Sequence, residues 1–408
     1  MSVSTSRCKK QSAAKPGRIA PHIQELPKSG IRAFFDLVNN MKDVVSLGVG
    51  EPDFVTPWTI RESALYSLER GHTCYTSNLG SLSLRKAVCK YLESDFGVEY
   101  SPDNECLITV GVSEALDLAI RALLSPGDEI VYHEPCYVSY PAEIRMAHGV
   151  PVPIETYAKN EFALDPADLE KAITPRTKAI LLNFPCNPTG ATLNMKQTEA
   201  IAEIARKHDL VVLSDHIYSE LTYGPMTPSI ATLPGMKERT VFLHGFSKAF
   251  AMTGMRVGFA CGPADIIDAM MKIHQYSMLC APVTSQDAAE EALLSAHNDM
   301  VRMREEYRTR RDMVVKRMNE LGLKCLLPKG SFYVFPDIRS TGLSSRDFAM
   351  RLLDEQKVAV VPGTAFGDCG EGYIRCSYAS SMEKLHIALD RMEVFLNGLK
   401  KKPKRAKK

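Results

Sequence analysis

Between about residues 60 and 280, short apolar runs recur, separated by stretches with helical spacing. The runs 106–109, 130–132, 150–154, 179–182, 210–213, 241–243 and 257–260 each have strand length. After the first, Gly111-Val112-Ser113 turns the chain, and Ala115, Leu118, Ala119, Ala122 and Leu123 follow on one helical face. Helical stretches such as 197–208 separate others. Alternation of this kind predicts a mostly parallel sheet covered by helices, an α/β fold. In such sheets the chemistry gathers in loops beyond the carboxyl ends of the strands.

After about residue 285 the pattern changes. Spacing predicts one long charged helix over 286–321, then strands at 332–335, 358–361 and 373–376. A last amphipathic helix carries Leu385, Ala388, Leu389, Met392, Phe395, Leu396 and Leu399 on one face. The 408 residues therefore divide into a large domain over 56–285 and a smaller α+β domain from 29–55 and 286–399. Residues 1–28 read as a disordered or extended segment, and 400–408 as a basic disordered tail. The tail also has the form of a nuclear-localisation-like or acidic-surface contact, and the head that of a short transit peptide.

The net charge of +2 is unevenly distributed. Residues 400–408 carry seven positive charges and residues 1–18 carry five; without these twelve the body stands at −10. The body thus lacks a basic footprint for nucleic acid. No apolar run reaches membrane-spanning length, so no membrane role is expected. Eleven scattered cysteines without a CxxC pair read as reduced core thiols, and a cytoplasmic setting is expected. The ten histidines show no metal-ligand spacing, so no metal is expected.

Five segments fall where strands of the sheet would end. In GVSEAL (111–116) a glycine turn opens a helix, whose free N–H groups suit an anion. In NFPCNPTG (183–190) Asn187 sits in a rigid turn. In LSDHIYSE (213–220) Asp215 follows a buried strand and Tyr218 comes three residues later. In HGFSKAFAMTGMRVG (244–258) Lys248 stands among apolar residues, with Arg256 eight positions on. In GYIRCSYA (372–379) Arg375 lies inside an apolar strand. Each has a structural reading: turn glycine, turn asparagine, helix cap, or buried ion pair. Together they suit a cofactor with a phosphate, an aldehyde and a pyridine nitrogen, which needs an anion cradle, a lysine and a carboxylate.

With GEPDFVTP (50–57), these motifs resemble the class I aminotransferases of the fold-type I pyridoxal-phosphate enzymes, across about residues 29–399. The resemblance is strongest to the prokaryotic branch of aspartate, aromatic and N-acetyl-diaminopimelate aminotransferases. It implies pyridoxal 5′-phosphate as cofactor and a homodimer with shared active sites. It makes Lys248 the residue linked to the cofactor aldehyde and, when released, the catalytic base. Asp215 pairs with the ring nitrogen, while Asn187 and Tyr218 bond the phenolic oxygen. Tyr137, in EPCYVSY, stacks on the ring. Val112, Ser113, Ser247 and Arg256 hold the phosphate, with Tyr75 reaching it from the other subunit. Arg375 grips the substrate α-carboxylate, and the Gly50 backbone closes over the substrate beside Tyr137 and Asn187.

Three positions depart from the family pattern: His216 where Glu is usual, Met255 where Trp is usual, and Val112 in place of a small residue. None removes a catalytic group. The implied activity is ping-pong transfer of an amino group from an L-amino acid to a 2-oxo acid such as 2-oxoglutarate. Aspartate, aromatic and diaminopimelate-type donors all fit, since Arg375 accounts for one carboxylate only. A β-eliminating lyase or aminocyclopropane-carboxylate synthase shares these motifs and is the alternative. A transcription factor with an aminotransferase-like sensor domain is a third reading, against which the charge of the body argues.

Overall fold

The computed structural model describes residues 17–26, 41–225 and 228–401. The expectations for the head before residue 17, for residues 27–40 and for the tail beyond 401 lie outside the described residues. The chain forms strand β1 (Val45–Ser46), helices α1 (Trp58–Glu69) and α2 (Leu82–Tyr91), then β2 (Cys106–Thr109) and α3 (Val112–Leu123). Next come β3 (Glu129–Glu134), α4 (Ser139–Met146), β4 (Val150–Glu155) and β5 (Thr177–Asn183). They are followed by α5 (Met195–Lys207), β6 (Val211–Asp215), β7 (Thr240–Gly245), β8 (Gly258–Cys261) and α6 (Ala264–Ser277). Every apolar run singled out in this half of the sequence lies in or overlaps a strand.

These strands form a seven-stranded sheet in the order β2-β8-β7-β6-β5-β3-β4. The pairs from β4 to β7 are parallel; β8 runs antiparallel to both of its neighbours. The sheet is therefore mostly parallel, as the sequence implies. Helices cover both faces, so β2, β7 and β8 are buried throughout. Each fully buried Leu or Phe, such as Leu243 or Phe242, contributes about 1.5–3 kcal/mol. Local chemistry fixes the helix ends: Asn194 and Gln197 form a reciprocal capping box at the start of α5.

The expected long helix over 286–321 is two helices, α7 (Val283–Ser295) and α8 (His297–Glu320), which meet at the buried Ala296 (φ −96°, ψ 13°). The break lets α7 lie along α1 while α8 turns toward the second core. Asn298 and Asp299 suit a first turn better than a helix interior, and Asp299 stands in the first turn of α8.

Beyond α8 come β9 (Tyr333–Val334), α9 (Ser345–Gln356), β10 (Val358–Ala359), β11 (Val361–Pro362), β12 (Ile374–Ser377) and α10 (Met382–Lys401). The run 358–361 is thus divided. β10 pairs with β1, whereas β11 pairs with β12, which pairs with β9. Pro362 has no N–H to give a ladder, which confines it to the edge strand where it lies. A further apolar core, with Leu47, Phe332, Phe348, Ile374, Leu389 and Phe395, holds these elements together and joins them to Ile217, Tyr218 and Leu221 beyond β6.

Candidate active site

The carboxyl ends of the central strands converge on one cavity of about 360 Å3. Asn183 ends β5, Asp215 ends β6, and the turn after β7 carries Ser247 and Lys248. All three segments reach the cavity because parallel strands end on the same side of the sheet. Arg375 enters from β12.

Lys248 is part-buried, and its Nζ donates to the Gly50 carbonyl at 2.7 Å. Burial lowers its pKa to about 8, and the positive charges of Arg375 and Arg256 act in the same direction. The amine is thereby kept closer to its nucleophilic form.

Asp215 is buried at the far wall. Its Oδ1 accepts the Ile217 N–H at 3.0 Å and its Oδ2 accepts the Tyr140 hydroxyl at 2.7 Å. Burial raises its pKa, and these two donors oppose the rise. Across the sheet, Glu220 accepts from Tyr91 and lies 2.6 Å from His244 Nε2.

The opposite end of the cavity is built for an anion. Helix α3 begins at Val112 with no side-chain cap, which leaves its first N–H groups available. Gly111 has φ 81°, and a Cβ there would come within 2.7 Å of the Arg256 guanidinium. Arg256 is itself left-handed (φ 51°) and donates to the Thr253 carbonyl at 3.1 Å. Ser113 and Ser247 line the same end. An uncapped helix start, an arginine and two hydroxyls suit a phosphate, and a buried carboxylate with a lysine suits a pyridine aldehyde. The residues fit pyridoxal phosphate.

Arg375 is buried, with Nη2 donating to the Gly48 carbonyl at 2.6 Å and Nη1 to Asn187 Oδ1 at 2.9 Å. Its Nε has no partner. The guanidinium lies 4.4 Å from the Tyr333 ring centroid and 4.8 Å from that of Phe366. Tyr218 and Tyr333 share a hydroxyl–hydroxyl bond of 3.0 Å.

Of the residues singled out in the sequence, Gly50, Val112, Ser113, Tyr137, Asn187, Asp215, Tyr218, Ser247, Lys248, Arg256 and Arg375 all line this cavity. Tyr75 does not; it is 80% exposed on the surface of its own chain. Sequence reasoning missed Tyr140, Glu143, Asn183 and Tyr333, which also line it. Tyr140 had a signal, three residues after Tyr137 in the same motif. Tyr333 had none, since it lies in an apolar run that reads as core.

The two departures left open resolve as packing. His216 stacks on Phe242 at 4.0 Å, and its nitrogens pair with Ser214 at 2.9 Å and Ser219 at 3.1 Å. Burial pushes its pKa down to about 3, so it is a neutral core residue. Met255 packs against the core beneath β2 and β8. Among the described residues no cluster is fit for a metal ion, and no helix is long and apolar enough to cross a membrane. The described cysteines are free thiols, mostly buried, although Cys74 is exposed.

Residues 42–392 match the family model for aminotransferase class I and II. The chain is 54% identical to YugH of Bacillus subtilis, an aminotransferase by provisional name, over 93% of this chain and 98% of that protein. It is 46% identical to the aspartate aminotransferase of Pyrococcus abyssi, over 91% and 96% of the two chains. It is also similar to the crystal structure of the aromatic aminotransferase of Pyrococcus horikoshii, with a TM-score of 0.87 and 44% identity. That match covers 91% of this chain and 99% of the other.

Proposed function

Since the chain belongs to the class I and II aminotransferases, and so transfers amino groups between amino acids and 2-oxo acids, we propose how its own residues do so with pyridoxal phosphate. When bound, the cofactor supplies an electron sink for the pair left on the substrate Cα. Lys248 would hold it covalently and, when free, would take the proton from the substrate Cα. Asp215 keeps a proton on the ring nitrogen, Tyr137 stacks on the ring, and Asn187 and Tyr218 bond the phenolic oxygen. The N–H groups of Val112 and Ser113 bind the phosphate with the hydroxyls of Ser113 and Ser247 and the guanidinium of Arg256. Arg375 binds the α-carboxylate by a two-pronged fork, and the Gly50 backbone covers the substrate beside Tyr137 and Asn187. The observation that carries this reading is the gathering of Lys248, Asp215, Arg375 and an uncapped helix start around one cavity.

The donor is an aspartate, aromatic or diaminopimelate-type L-amino acid and the acceptor a 2-oxo acid such as 2-oxoglutarate. The relatives' names support this range, which includes aspartate, aromatic and N-acetyl-diaminopimelate aminotransferases.

The enzyme works as a homodimer, with Tyr75 of each copy reaching the phosphate of the other. Supporting this are large apolar side chains left exposed on the single chain, among them Val55, Trp58, Leu65, Tyr75, Tyr276 and Leu294. A cytoplasmic setting agrees with the free thiols. The two-domain division at 56–285 is supported by an apolar core drawn mostly from Leu47 and the elements after residue 307.

The test is a visible absorbance scan of the purified protein, titrated with L-amino acids. A lysine-bound cofactor absorbs between about 360 and 430 nm. Loss of that band, with stoichiometric 2-oxo acid release, identifies the donor. Steady release of pyruvate and ammonia without a 2-oxo acid acceptor would mark a lyase instead. No band after adding cofactor would refute the reading.

A further inference from the structure

One side chain in the cavity wall has no task in the mechanism above. Glu143 lies on α4 one turn beyond Tyr140, so the two share a face of the helix. Both line the cavity with Asp215. Glu143 is 8% exposed, and its Oε2 is buried without a hydrogen-bond partner.

The cations of the cavity are engaged elsewhere. Lys248 donates to Gly50, Arg256 to Thr253, and Arg375 to Gly48 and Asn187. The charged groups that act on Glu143 are Asp117 of α3 and Asp215 of β6, both negative. Burial, with those two carboxylates nearby, holds its carboxyl well above the usual carboxylate range. The shift favours the uncharged acid, the form with an O–H to give.

Asp215 can use that O–H. A buried carboxylate stays ionised only if donors surround it. Oδ1 has the Ile217 N–H and Oδ2 the Tyr140 hydroxyl, and each oxygen keeps a second lone pair. A bound ring nitrogen would occupy one of these, and one would remain for a further donor.

We propose that Glu143 is a positioning residue for Asp215, giving its carboxylic O–H to the carboxylate beside the Tyr140 hydroxyl, from the same face of α4. This rests on the role of Asp215 at the ring nitrogen proposed above. A glutamic acid suits the task because it adds a donor without adding a positive charge, which would compete with the ring nitrogen for Asp215.

Two measurements test this. The first is infrared spectroscopy of the cofactor-free protein at neutral pH, wild type against Glu143→Gln. The wild type shows a protonated-carboxyl stretch that Glu143→Gln lacks. The second is steady-state kinetics with saturating pyridoxal phosphate. Glu143→Leu, which removes the donor, lowers kcat about tenfold, the worth of one hydrogen bond to a charged group. KM for the amino donor changes by less than about twofold, because Arg375 still binds the carboxylate. Glu143→Gln, which keeps an N–H donor, recovers most of the loss. A spectrum with no difference between wild type and Glu143→Gln overturns the proposal, as does a Glu143→Leu enzyme that matches wild type. If Glu143→Leu does not fold, the infrared comparison still decides. A wild type that fails to transaminate would overturn the proposed function instead, and the infrared result would stand apart from it.

Discussion

The Lys248 amine and the Gly50 carbonyl lie 2.7 Å apart, so the lysine of the large sheet is tied to the strap that follows β1. The bond holds an amine in a setting that disfavours its charge. Below about pH 8 the folded protein carries that charge at a cost, and the cost fades as pH rises through about 8 toward the ordinary lysine range. Lys248→Met should therefore abolish transamination and the visible band, yet stabilise the cofactor-free protein below pH 8 by up to about 3 kcal/mol. Thermal unfolding across pH 6–10 would show the gap between variant and wild type narrowing at the alkaline end. A constant gap would argue against a depressed amine.

Arg375 is held on both prongs, by Gly48 and by Asn187, with its Nε still unpaired. Arg375→Lys keeps the charge and loses the fork. We expect KM for the amino donor to rise about a hundredfold with a smaller change in kcat, as for loss of a two-pronged carboxylate bond. Equal KM values in variant and wild type would remove Arg375 from the substrate site.

Removing the Tyr140 hydroxyl takes one of the two donors from the buried Asp215. Burial already raises this carboxyl, and the loss raises it further. Tyr140→Phe should lower kcat about tenfold and move the acid limb of the pH–rate profile upward. An unmoved limb would mean that Tyr140 serves packing alone.

Gly50 has no room for a side chain, since a Cβ there would overlap the Tyr333 hydroxyl. Gly50→Ala should cost about 1–3 kcal/mol in stability or in substrate binding, by overpacking. Adding Tyr333→Phe removes the blocking oxygen and should restore part of the loss. Additive effects in the double variant, measured by unfolding and by KM, would contradict that geometry.

The sheet and most of the site were legible in the sequence because both are local. A buried strand announces itself as an apolar run, and a strand-end loop carries its functional residue within a few positions. Lys248 and Asp215 were singled out this way and Arg375 as an arginine inside an apolar strand, and all three line the cavity. Side chains that meet only in the fold were not. Tyr333 pairs with Tyr218 across 115 residues, and nothing in either segment marks the pairing. Glu143 reads as an ordinary helix acid until α4 is seen to turn it inward. The break at Ala296 was hidden because helical spacing runs through it, and the non-helical backbone of that one residue reveals it.

Trp58 is the only tryptophan in the chain, and it stands at the first position of α1, 55% exposed, with the Arg61 guanidinium 5.1 Å from its ring. The indole fluorescence of this protein therefore originates at one spot, on the apolar surface assigned to the second copy. For the proposed homodimer, its emission colour would serve as a gauge of assembly: blue-shifted where a second copy covers the indole, red-shifted where dilution bares it, with no dye or tag attached.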